Sequence, residues 1–171
     1  MKIRSISHGG VTVSDFEKTV SWYHDMFGFN LITEQVLEGE QVNNLYTLYK
    51  VRDAKIRIGF LRAPKGGVIE IFEFSPSAPK DDIPWNKPGY THIALDIKSI
   101  DKWYKTLSSK GVYFFSEPQN TGNVEWVFLK DIDGNLIELI DLKSNYPVIR
   151  LLGGIAGRIM AKSKFKEYYL K

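Results

Sequence analysis

Residues 60–73 and 128–141 align without a gap at an offset of 68 positions. Phe60/Phe128, Leu61/Leu129, Gly66/Gly134, Ile69/Ile137 and Glu70/Glu138 are identical, and the basic residue (Arg62, Lys130) and the last acid (Glu73, Asp141) also correspond. A match of this length with no insertion implies that the chain carries one structural unit twice. Any fold assigned to it has to accommodate two copies.

Taken in order, each copy reads strand, helix, strands. Residues 3–13 alternate and are rich in β-branched side chains, which predicts a strand containing His8. Ser14 followed by Glu17 has the form of a capping box, and Phe16, Val20, Tyr23 and Phe27 fall on one helical face that Gly28 is placed to end. Residues 29–36, 45–51, 55–61 and 68–74 then read as strands. Residues 75–89 hold four prolines and no period, the composition of a linker. The pattern resumes with a strand over 91–97 containing His92, a helical face of Ile100, Trp103/Tyr104 and Leu107 ended by Gly111, and strands at 112–115, 124–130 and 136–142. The expected organisation is a first βαβββ module over 1–74, the linker over 75–89, a second βαβββ module over 90–145 and a basic extension over 146–171. His8 and His92 are 84 positions apart whereas the two glutamates are 68 apart, so the first module holds about 16 extra residues, assigned to 35–56.

The chain has 171 residues, enough for a sizeable core. It contains no cysteine, which excludes disulfides, thiolate nucleophiles and thiolate metal sites. Net charge is +3, but residues 146–171 alone contribute +5 and leave the remainder at −2, so the basic balance does not point to nucleic acid. The start of the chain lacks an apolar signal region and no stretch reaches the ~18 apolar residues of a membrane span, giving the cytoplasm as the expected location.

Each module begins with a histidine in its first strand and ends with a glutamate in its last. Strand alternation sets Glu70 with Val68, Phe72 and Phe74, and Glu138 with Leu136 and Ile140. If the modules are related by a pseudo-two-fold, His8, Glu70, His92 and Glu138 converge, and two imidazoles with two carboxylates suit one divalent ion: Ni²⁺, Zn²⁺, Co²⁺, Mn²⁺ or Fe²⁺. A lone strand histidine is more often a satisfied structural residue, and a strand glutamate is more often solvated. Repetition at equivalent positions, among large apolar neighbours where an unpaired carboxylate is costly, favours the metal reading. His24 has no counterpart and reads as a surface residue.

The segments 7–23, 68–70, 89–95 and 131–140 resemble the vicinal oxygen chelate superfamily, also called the glyoxalase/bleomycin-resistance/dioxygenase family, over about residues 5–142. The resemblance implies an α+β fold in which two paired βαβββ modules form a cup-shaped mixed sheet around a metal, with a small-molecule substrate and frequent homodimers. The His-Glu-His-Glu set is similar to that of glyoxalase I (lactoylglutathione lyase), whose metal polarises a hemithioacetal while a glutamate moves a proton through an enediolate. By carry-over Glu138 is the base and Glu70 its partner, with Phe72, Phe74, Thr12 and Trp126 expected in the substrate pocket. Thr12 stands where bacterial glyoxalase I tends to carry a glutathione-contacting arginine, and Phe74 where an asparagine is expected, so the implied substrate differs from the glutathione hemithioacetal. The alternatives are a methylmalonyl-CoA epimerase-like enzyme and a metal-free, bleomycin-resistance-type binding protein. Extradiol dioxygenases and fosfomycin-resistance proteins use a His-His-Glu set, which leaves Glu70 without a role.

Beyond Pro147 the resemblance ends. Ile149, Leu152, Ile155 and Ile159 approach helical spacing, but Gly153, Gly154 and Gly157 make an isolated helix poor. This predicts an arm packed on the body or on a second subunit, with contact to an anionic membrane surface as the alternative.

Overall fold

The structure is a computed structural model that describes residues 3–81 and 85–169. Residues 82–84 of the expected linker lie outside the described residues. The chain divides into two compact units, Met1–Ile93 with Lys130–Asn135, and Ala94–Leu129 with Leu136–Lys171.

The first sheet has the order β1-β4-β3-β2, with β1 His8–Val13, β2 Asn30–Leu37, β3 Lys55–Arg62 and β4 Val68–Ser75. β1 runs parallel to β4, while the β2/β3 and β3/β4 pairs are antiparallel. Helix α1, Phe16–Phe27, forms where the apolar spacing placed it and buries Phe16, Thr19, Tyr23 and Phe27. Its N-cap is Asp15 rather than Ser14: the Asp15 carboxylate accepts from Lys18 N, and Glu17 pairs with Arg57 instead of closing a capping box. Gly28 ends the helix at φ 72, in the left-handed region that its lack of a Cβ makes accessible. The α1 side of the sheet is close-packed. Gly59 is required there, because a Cβ on it would lie 2.5 Å from Phe16 Cζ.

The strand expected at 45–51 is instead helical. Two short helices, α2 Glu40–Asn43 and α3 Tyr46–Tyr49, make up the extra segment of the first module. Val42 is fully buried and Tyr49 and Val51 pack on its cluster, while Leu48 faces outward. Asn43 Nδ2 donates to Asp53 Oδ1 (3.0 Å) and accepts Asp53 N on its own Oδ1 (2.9 Å), which closes the segment at its base.

The second sheet has the order β5-β8-β7-β6, with β5 Ile93–Asp96, β6 Gln119–Thr121, β7 Val124–Lys130 and β8 Leu136–Asp141. Helix α4, Ile100–Ser109, buries Ile100 and Leu107. Two expectations are corrected. His92 immediately precedes β5 rather than lying inside it, and residues 112–115 contribute only a Phe114–Leu129 bridge, the edge strand being 119–121. Phe115 N also donates to Phe128 O (3.0 Å), so the run meets β7 at one bridge without extending into a ladder, and Tyr113 and Phe115 are exposed. The order β-α-β-β-β nevertheless holds in both modules, giving the α+β class.

The hairpin turns confirm the repeat in detail. Ala63 N donates to Gly67 O at 3.2 Å and Asp131 N to Asn135 O at 3.0 Å, at equivalent positions, and Gly66 and Gly134 both take positive φ. The basic extension holds α5, Gly153–Lys162, after a π-helical turn over Pro147–Leu151. Neither has a buried residue.

Candidate metal centre

Alternation works as the repeat required. In β4, Ile69 and Ile71 are buried while Val68, Glu70 and Phe72 are half-buried on the other face; in β8, Ile137, Leu139 and Asp141 are buried while Leu136, Glu138 and Ile140 are half-buried. Both glutamates thus project away from the helix-covered side of their sheets. Register places Gly10 and Phe60 on either side of Glu70, with His8 beside Val68 and Thr12 beside Phe72.

His8 Nε2 approaches Glu70 Oε2 at 3.0 Å, with the two side chains 35% and 17% exposed. The His8 ring also leans on Phe60, centroids 5.2 Å apart at 39°. His92 lies in the same unit, its Nδ1 2.8 Å from Thr91 Oγ1 and its ring stacked on Trp85 at 5.6 Å and 22°. Among the described residues no three His, Asp or Glu side chains gather as a metal-binding group. Glu138 belongs to the second sheet.

The residues expected to contact substrate divide between the sheets. Phe72 and Phe74 are stacked at 6.5 Å and 26°, Phe74 meets Tyr49 edge-on at 5.9 Å, and both phenylalanines pack on the cluster of Val42, Ala54, Ile56 and Ile58. One end of the Glu70 face is therefore an apolar wall built by the extra segment. Thr12 is exposed beside Phe72. Trp126 lies in β7, where its Nε1 donates to Thr121 Oγ1 at 3.1 Å and its ring meets Phe128 edge-on at 5.7 Å. His24 is exposed, as expected, with Nδ1 2.9 Å from Phe29 O beyond the end of α1.

Several residues with a part in the site escaped the sequence reading. Phe60 and Trp85 hold the histidine rings, Tyr49 completes the wall, and Ser7 and Thr91 touch the Nδ1 atoms. The last two carried a signal, since a hydroxyl residue precedes the histidine in both copies. The paired acids Glu73 and Asp141 prove structural. Glu73 Oε1 accepts Phe16 N (2.9 Å) and Asp141 Oδ2 accepts Ser99 N (2.9 Å), each serving the N-terminus of its own module's helix, where backbone N–H groups lack partners. Tyr23 Oη donates to the buried Asp131 (3.2 Å), and burial, followed by that carboxylate, pushes the phenol well above its ordinary range.

No helix among the described residues is long and apolar enough to cross a membrane. The sequence profile of the Glyoxalase/Bleomycin resistance protein/Dioxygenase superfamily matches residues 5–139. Lactoylglutathione lyase of Schizosaccharomyces pombe is 24% identical over 153 residues, which cover 86% of this chain and 50% of that protein, so the chain spans about half the length of this relative. Among solved structures, a glyoxalase family protein from Bacillus cereus superposes with a TM-score of 0.68 at 21% identity, covering 82% of this chain and 95% of that one. The trypanothione-dependent glyoxalase I of Leishmania major superposes with a TM-score of 0.62 at 18% identity, covering 95% and 99%. With its doubled βαβββ order, its paired strand glutamates and a profile match over most of its length, the chain belongs to the Glyoxalase/Bleomycin resistance protein/Dioxygenase superfamily.

Proposed function

We propose that the chain is a divalent-metal-dependent lyase or isomerase of the glyoxalase I type, with His8, Glu70, His92 and Glu138 as metal ligands and a small carbonyl compound as substrate. The observation that carries this reading is the 3.0 Å approach of His8 Nε2 to Glu70 Oε2 on the face of the first sheet away from α1. The donor set fits a divalent ion of the Zn²⁺, Ni²⁺, Co²⁺, Mn²⁺ or Fe²⁺ class: all donors are nitrogen or oxygen, and a hydroxyl on Nδ1 of each histidine directs coordination to Nε2. When bound, such an ion supplies a Lewis acid for a substrate carbonyl.

The chain's own residues would do the rest. Glu138, half-buried between the fully buried Ile137 and Leu139, takes the proton from the carbon beside the carbonyl and returns it, and Glu70 is its equivalent in the first module. Phe72, Phe74 and Tyr49 give the substrate an apolar wall, and Thr12 offers no guanidinium for a glutathione carboxylate. The substrate class is accordingly a hemithioacetal of another thiol or an acyl thioester. The Leishmania neighbour is a trypanothione-dependent glyoxalase I, which supports a glyoxalase I type that uses a thiol other than free glutathione. The same wall supports a second reading, sequestration of a flat apolar ligand without metal.

Metal content of the purified protein, its His92→Ala variant and its Glu138→Gln variant separates these readings. The enzyme reading expects stoichiometric divalent metal that His92→Ala loses. It also expects deuterium uptake from D₂O beside the carbonyl of a hemithioacetal or acyl thioester, reduced about 10²- to 10⁴-fold by Glu138→Gln. Failure of the parent protein to bind Ni²⁺, Co²⁺, Mn²⁺, Zn²⁺ or Fe²⁺ would overturn that reading in favour of sequestration.

A further inference from the structure

Both histidines share a contact outside the ligand set. Ser7 Oγ lies 3.1 Å from His8 Nδ1, and Thr91 Oγ1 lies 2.8 Å from His92 Nδ1. In each copy the residue directly before the histidine sets a hydroxyl on the same ring nitrogen, at positions related by the 84-residue offset.

A neutral imidazole carries one N–H, and its two nitrogens must play opposite parts. With Glu70 Oε2 at 3.0 Å from Nε2, the neutral His8 ring satisfies the carboxylate by keeping its proton on Nε2, and Nδ1 must then accept. Coordination through Nε2 demands the reverse: Nε2 presents its lone pair and Nδ1–H donates. A carboxylate or backbone carbonyl on Nδ1 serves only the second arrangement, and an ammonium only the first. A hydroxyl, as both donor and acceptor, serves both by rotating.

We propose that Ser7 and Thr91 are positioning residues: Ser7 lets His8 move its proton between Nε2 and Nδ1, so that the same ring serves the metal-free and metal-loaded protein, and Thr91 accepts the Nδ1 proton of His92 when that ring coordinates through Nε2. This rests on the ligand set proposed above. No proton is gained or lost: the His8 ring gives one up at Nε2 and takes one at Nδ1, and the Ser7 hydroxyl turns from donor to acceptor. The Thr91 contact is the shorter and is part-buried, whereas that of Ser7 is exposed, so Thr91 has the larger effect. Trp85 stacked on His92 holds the plane of that ring.

The test uses zinc alone and the full chain labelled with ¹⁵N-histidine. Long-range ¹H–¹⁵N correlation is expected to show His8 protonated on Nε2 without zinc and on Nδ1 with it. Zinc affinity is expected to fall about tenfold in Thr91→Val, the near-isosteric removal of the hydroxyl, and less in Ser7→Ala, in the range of partners that orient ligating histidines. Thr91→Ser and Ser7→Thr should bind within about twofold of the parent, the tolerance expected where the hydroxyl is kept. Parent-like affinity and tautomers in both Thr91→Val and Ser7→Ala, alongside loss of binding in His8→Ala and His92→Ala, would overturn the positioning role alone. Parent-like zinc affinity in the two His→Ala variants would overturn the ligand set and this inference together.

Discussion

In the first module a buried Phe16 opens α1 and presses on Gly59 of β3; in the second, Ile100 opens α4 and Val127 stands at the position equivalent to Gly59. By equivalent position, Ile and Val stand where the first module has Phe and Gly. All three side chains are 0–1% exposed. The helix starts differ as well. Asp15 caps α1 with its own side chain and Glu73 adds a second acceptor, whereas Ser99 begins α4 at φ 61 with no side-chain cap, and its N–H is taken by Asp141. Two copies of one plan have kept the backbone order and exchanged the means of holding it, so equivalent positions should tolerate change unequally.

The largest break should come from forcing one solution onto the other. Gly59→Val puts a Cβ 2.5 Å from Phe16 Cζ and 2.9 Å from Leu31 Cδ1, and overpacking of this kind should cost about 3 kcal/mol in urea unfolding. Adding Phe16→Ile, which copies the second module's pairing, should recover at least ~1 kcal/mol of that loss. Additive losses in the double variant would show that the two modules do not share this packing rule.

The next effect concerns the acids behind the helices. Asp141 is 7% exposed and accepts Ser99 N at 2.9 Å and Lys143 N at 3.0 Å, with Lys143 Nζ at 3.3 Å. Burial pushes its carboxyl up, but the two backbone N–H groups and the Lys143 ammonium outweigh that and hold it below the usual range. Asp141→Asn should cost about 2 kcal/mol, the scale of hydrogen bonds to a charged group. Glu73→Gln should cost about 1 kcal/mol or less, since Asp15 continues to cap α1. Because the folded Asp141 is the stronger acid, its contribution is complete above the unfolded carboxylate range near pH 4 and is lost as pH falls through the folded value. The gap between parent and Asp141→Asn should therefore narrow in acid-denaturation series below about pH 4. An equal cost for the two variants would erase the distinction drawn between the helix starts.

How far the sequence carried this picture follows from where its signals were redundant. The face Phe16, Val20, Tyr23, Phe27 and the repeat at Glu70/Glu138 were legible because each was marked several times over, by period and by duplication. The difference between the 84- and 68-residue offsets located the extra segment within 35–56, where the structure has α2 and α3. Its character was not legible. Leu45, Tyr46, Leu48, Tyr49 and Val51 form a short apolar run that fits a strand or a helical turn alike, and the contact with Ile56 and Phe74 that decides it is non-local. Residues 112–115 failed for a related reason, since how far the run stays in register with β7, here a single bridge at Phe114–Leu129, is also decided by a non-local contact. At the site, the two glutamates and two histidines could be listed from the repeat. The hydroxyls of Ser7 and Thr91 could have been, because they obey the same 84-residue offset, but a serine or threonine in a strand is too common to stand out without a geometry.

The smallest effect should come from outside both modules. Residues 148–169 place Val148, Ile149, Leu151, Leu152, Ile155 and Ile159 at 51–71% exposure, and α5 buries none of its residues. The segment is tied to the second sheet by an exposed ion pair between Arg150 Nε and Asp96 Oδ2 at 3.2 Å. A pair of that kind contributes at most about 1 kcal/mol. Ending the chain after Asn145 should therefore lower the unfolding free energy by no more than about 1 kcal/mol and leave the denaturant slope nearly unchanged, because little apolar surface would be newly exposed. A loss of several kcal/mol, or a marked fall in slope, would mean that the extension buries its apolar side chains in solution against the modules or a second copy. The comparison would then need a third part, since the two modules would not hold their folds by the helix starts and core pairs that distinguish them.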